Sequence, residues 1–201
     1  MTEQEWLICT DPHPMLEFLR GQASERKLRL FAVACSRRIW DRIDAFGRDA
    51  VDVAVRFADG FATPEQLRSA RLACQGAGGH AAWYAAATNP KIAARNAARS
   101  AQAGAGCEAH ELLAQASLVR EIFGNPFRRF SLKPSCLTFG AVKLAKTIYE
   151  ERTFDRMSEL ADALEKAGCA DHEILGHCRG PGPQVRGCWA LDLVLGKGAK
   201  A

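Results

Sequence analysis

Chemistry-bearing residues crowd into one stretch of this 201-residue chain, Gly168 to Lys197. It holds Cys169, His172, His177, Cys178 and Cys188, the ligand types that suit zinc. Cys169 and His172 have a workable two-residue gap, but His177 and Cys178 are adjacent, and neighbouring residues on a helix do not share a face. There is no C-x-x-C pair anywhere in the chain. The spacing therefore favours Cys169 and Cys188 as small core residues and His172 as a surface residue near a helix start. No cofactor is expected from the sequence, zinc being the one ion these ligand types would suit.

The same stretch carries the turn Arg179 to Gly187, with Arg186 and Gln184 inside it. Its glycines permit close backbone approach, and its arginines suit a phosphate or carboxylate. The spacing fits neither a Walker loop nor a dinucleotide fingerprint. Arg179, Gln184 and Arg186 are thus candidates for an anion or an acidic partner. The competing reading is a rigid interhelix turn whose arginines bond nearby carbonyls and acids such as Asp192.

Two further groupings deserve a chemical reading. Cys107 and His110 stand three apart, which on a helix brings thiol and imidazole together, as a nucleophile and its base require. No third residue to orient the imidazole is identifiable. Lys91, Arg95 and Arg99 recur every four residues on one helix face, and Arg128, Arg129 and Lys133 sit among phenylalanines. Such cations contact phosphates, and basic residues interleaved with aromatics bind single strands. The first set also reads as an ordinary solvated face, and the phenylalanines around the second also read as core.

The elements that position these residues are helical. A 48% apolar and 25% charged composition suffices for a buried core, which excludes whole-chain disorder. The net charge of +4 is too small to imply nucleic acid by itself. Asp11-Pro12, Ser24, Thr63-Pro64-Glu65-Gln66, Asn89-Pro90 and Asp171 are helix starts, with Gln66 placed to close a capping box on Thr63. Leu28, Phe31, Cys35 and Ile39 form an apolar stripe, with Arg26, Lys27, Arg29, Arg37, Arg38 and Arg42 assigned to its outside. Gly76, Gly78 and Gly79 break the pattern, and an alanine-rich stretch from His80 to Ala105 follows. Phe127, Phe130 and Phe139 read as pins for an ordered connector over 124–140. The expected fold is all-α, a compact bundle of about eight or nine short helices. It divides into an N-terminal half at 1–123 and a C-terminal half at 141–201, packed together. The start lacks a signal-peptide pattern and no stretch reads as a membrane span, so a cytoplasmic protein with reduced cysteines is expected.

Three strings, EWLICTDPHPMLEFLRGQASERKLRLFAVACSRRIW, REIFGNPFR and LADALEKAGCADHEILGHCRGPGPQVRGCWALDLVLGK, resemble an uncharacterised family of helical proteins abundant in planctomycete-type bacteria. The resemblance covers both ends and the joint and supplies no catalytic residue. It implies a histidine in relatives at the position of Gln184 and a further cysteine at that of Ser36. A metal or catalytic site that needed either position is then incomplete here. With no coherent catalytic constellation, the reading is a non-catalytic helical interaction module with a protein partner. A basic nucleic-acid-binding accessory is the alternative, and a metal-assisted enzyme comes third.

Overall fold

The computed structural model describes residues 1–75 and 80–197. Gly76, Gly78 and Gly79 lie outside the described residues. The described part is all-α, with no strand. Internal contacts divide the chain into two units, Met1–Val119 and Arg120–Ala201. No helix among the described residues is long and apolar enough to cross a membrane.

The first unit contains α1 (Glu3–Ile8), α2 (Pro12–Phe18), α3 (Glu25–Arg38), α4 (Ala45–Ala58), α5 (Pro64–Ala73), α6 (His80–Ala85) and α7 (Pro90–Gly104). Helix α8 (Glu108–Phe123) begins in it and ends in the second. The caps behave as local chemistry dictates. Asp11, Ser24 and Asn89 accept backbone N–H groups at the starts of α2, α3 and α7, and Thr63 with Gln66 completes a capping box on α5. A second box, Thr2 with Glu5, starts α1, an element absent from the sequence reading.

Helix α3 is the axis of this unit. Every residue from Leu28 to Ser36 is buried, and α3 packs against α4, α6 and α7. Its partner α7 presents Ala93, Ala94, Ala97, Ala98 and Ala101 to the interior. Small side chains let the helices approach closely, although each buries little area. Arg29 corrects the assignment of that residue to the outside of α3: it is only 3% exposed. Its guanidinium donates to the carbonyls of Ala85, Ala87 and Thr88 at 2.9, 2.7 and 3.1 Å. A cation at the C-terminal end of α6 satisfies carbonyls that have no partner in the helix, and the helix dipole adds to the attraction.

The second unit contains the end of α8, then α9 (Phe139–Glu151), α10 (Met157–Lys166), α11 (His172–Arg179) and α12 (Trp189–Val194). Met157, Leu160, Ala161 and Leu164 form one stripe of α10 and are fully buried. They share a core with Ile148, Ile174 and Leu191. Each such side chain is worth about 1.5–3 kcal/mol when removed from water. Of the three phenylalanines expected to pin the connector, Phe130 does so by packing on Trp189, with ring centroids 4.3 Å apart. Phe139 does not: it is the first residue of α9 and 84% exposed.

Candidate functional site

Asp171 caps α11, and the helical period from there turns Ile174, Leu175 and Cys178 inward and leaves His177 at the edge of the core. Cys188 occupies the cap position of α12, so Trp189 is that helix's first residue. The last turn of α8 contributes Glu121. These pieces converge. His177 Nε2 lies 3.2 Å from Cys188 Sγ and 3.2 Å from Glu121 Oε2. Trp189 Nε1 donates to His177 Nδ1 at 3.2 Å.

That indole bond decides the protonation of the ring. Nδ1 accepts, so a neutral imidazole carries its proton on Nε2, directed at the carboxylate and the sulfur. Burial, and after it the Glu121 carboxylate, pushes the Cys188 thiol well above its ordinary value of 9.0. Burial likewise raises Cys178 to about 12, with Glu121 and Cys169 adding to it. A thiolate–imidazolium pair would turn an Nδ1–H against the indole N–H. The arrangement therefore opposes a nucleophilic Cys188. One atom of the cluster is left over: Glu121 Oε1 is buried and has no hydrogen-bond partner among the described residues. An orphaned buried acceptor costs about 1–3 kcal/mol.

Of the five ligand candidates in the C-terminal block, the fold brings His177 and Cys188 together and adds Glu121. Cys169 and Cys178 are buried neighbours, and His172 is exposed. Sequence reasoning passed over Glu121 because it stands as a lone acid among basic residues. The available signal was its place one helical turn after the buried Leu118, so that an acid falls on an apolar face.

The Arg179–Gly187 turn is engaged within its own unit. Arg179 donates to Asp162 and Glu165 at 2.7 and 2.6 Å, and those carboxylates push its pKa up. Arg186 donates to the Tyr149 carbonyl at 2.7 Å and lies over the Tyr149 ring. Gln184 donates to the carbonyls of Cys178 and Gly180. Arg128 pairs with Glu173, whereas Arg129 and Lys133 are exposed. Cys107 and His110 are both exposed, and no hydrogen bond joins them among the described residues.

Lys91, Arg95 and Arg99 lie differently. Successive four-residue steps place all three on the exposed side of α7, along a cleft of about 430 Å³. None of the three side chains forms an ion pair among the described residues. Leu16, Leu19, Leu28 and Ile92 also line the cleft, with Arg20 and Glu17 paired at 2.9 Å. His13 lies against it too. Its Nδ1 is 2.9 Å from Asp11 Oδ1, and its Nε2 is buried with no hydrogen-bond partner among the described residues. Sequence periodicity finds the three α7 cations but not the cleft, because α2, the turn after it and Leu28 of α3 supply much of the rest of its lining.

No family model matches the chain, and no curated protein or solved structure matches it.

Proposed function

We propose that the chain is a non-catalytic binding module for an amphiphilic anion, seated in the cleft of the first unit. The carrying observation is the set of three exposed cations, Lys91, Arg95 and Arg99, with no anionic partner among the described residues, along an aliphatic cleft. The cleft's volume falls within the usual range for small-ligand sites. An anionic head on the α7 cations and a hydrocarbon portion on Leu16, Leu28 and Ile92 complement its two kinds of lining.

The nucleic-acid alternative uses the same three cations, together with Arg128, Arg129 and Lys133 of the second unit. Single-strand grooves combine cations with aromatic platforms. No Phe, Tyr or Trp lines this cleft, which favours an aliphatic tail over a base. Arg179 and Arg186 are engaged inside the second unit, so the turn is not the surface proposed here.

Calorimetric titration with decyl phosphate, below its micelle concentration, tests the proposal. Saturable binding is expected, weakened at least 10-fold by Arg95→Glu with Arg99→Glu, and absent for an uncharged decyl glycoside. Equal binding by the charge-reversed variant would reject it. So would a single-stranded oligonucleotide that displaces the alkyl phosphate at lower concentration.

A further inference from the structure

Independently of the cleft, three donor atoms of different chemistry meet in the second unit: a carboxylate oxygen, an imidazole nitrogen and a sulfur. They lie within 4.8 Å of one another. Each comes from a separate element, Glu121 from α8, His177 from α11 and Cys188 from the cap of α12.

We propose that Glu121, His177 and Cys188 bind one divalent transition-metal ion, with zinc the best fit. Zinc–ligand bonds of about 2.0–2.3 Å at tetrahedral angles place neighbouring donors about 3.3–3.6 Å apart. The imidazole nitrogen stands 3.2 Å from both the sulfur and the carboxylate oxygen, so small side-chain adjustments accommodate the ion. A mixed oxygen, nitrogen and sulfur set matches a borderline-soft cation better than calcium or magnesium.

The orphaned carboxylate oxygen is the second observation. Hydrogen bonds within the cluster reach Glu121 Oε2 and leave the buried Oε1 without a partner. A bound cation compensates the whole carboxylate by charge. Gly182 comes close on one side: a Cβ built there would lie 3.6 Å from Glu121 Oε2, so the turn meets the carboxylate there without a side chain of its own. Three protein ligands leave a fourth coordination position for water or an exogenous ligand.

Loading balances in protons and requires one local rearrangement. Cys188 releases its thiol proton to solvent and binds as thiolate. His177 gives up its Nε2 proton and takes one at Nδ1, so the ring stays neutral and Nε2 offers its lone pair. The Trp189 N–H must then turn away from Nδ1. Trp189 is consequently a built-in reporter of the site.

Purified full-length protein, stripped with chelator and incubated with cobalt(II), tests the proposal. One cobalt per chain is expected, with a sulfur-to-cobalt charge-transfer band and a change in tryptophan emission. Cys188→Ser should abolish the band, and Glu121→Gln should weaken binding at least 10-fold, with folding of both verified by circular dichroism. Cys169→Ser should leave the band unchanged. X-ray absorption of the zinc-loaded wild type needs no variant and should show one sulfur and three lighter ligands. No stoichiometric uptake, a band surviving Cys188→Ser, or a shell with no sulfur or with two would overturn the proposal.

Discussion

Arg29 and the Arg95–Arg99 pair belong to the same unit and carry the same charge, yet their surroundings are opposite. Arg29 points into the interior and is held by three carbonyls at the end of α6. Arg95 and Arg99 stand on the exposed side of α7 over an aliphatic cleft, with no anionic partner among the described residues. The second unit repeats the first pattern: Arg179 and Arg186 are taken up by acids and a carbonyl of their own unit. An arginine whose donors are used inside the fold is a structural element. One whose donors are left over beside a cleft is available to a ligand.

Replacing Arg29 by Met tests the first half of that contrast most severely. Three carbonyls lose their donor together, and a loss of about 3–5 kcal/mol in urea unfolding is expected. A loss below about 1 kcal/mol would mean that solvent replaces the guanidinium and that Arg29 is no cornerstone. The next effect belongs to the second unit. Gly124 has φ +70°, and a Cβ there would sit 3.1 Å from Trp189 Cγ. Gly124→Ala should cost about 1–2 kcal/mol from backbone strain alone and also shift the emission of Trp189. Unchanged emission would show that the indole has slack, and with it the His177 contact.

A pH series sharpens the view of the first unit's interior. Burial, and after it Glu111, raises the Cys35 thiol well above 9.0, with Arg38 opposing. The folded state keeps a proton that the unfolded chain releases above about pH 9, so stability should fall as pH rises from there. The limiting slope is about 1.4 kcal/mol per unit for one such thiol. Cys35→Ala should lower the slope by that one thiol's share, with buried Cys178 and Cys188 keeping theirs, and an unaltered slope would assign the loss to other groups. The smallest expected effect is the most informative for the contrast. Arg95→Glu with Arg99→Glu should change unfolding stability by no more than about 0.5 kcal/mol, because neither side chain holds the fold. A larger loss would place both in a structural role.

The starts of α2, α3, α5, α7 and α11 were legible because a cap, joined by a proline in α2, α5 and α7, acts over three or four residues. Thr63 and Gln66 form the predicted capping box atom for atom. The alanine-rich stretch likewise declares close helix packing through composition alone. Arg29 was not legible. It lies one residue beyond Leu28 on a strongly basic helix, and only the carbonyls of residues 85–88 give it a reason to be buried. Glu121 was obscured in the same way. Its partners, His177 and Cys188, stand far along the chain, and a spacing rule within one segment cannot reach them.

The sequence by itself determined the fold class, most helix boundaries and the alignment of Lys91, Arg95 and Arg99, since each depends on backbone chemistry within a few residues. Tertiary structure alone decided which polar side chains find partners. It tied the Arg179–Gly187 turn to α9 and α10, joined Glu121 to His177 and Cys188, and left the α7 cations facing a cleft. The physical reason is range: caps and helical periods are local, whereas satisfying a buried charge requires groups that only the folded chain brings together.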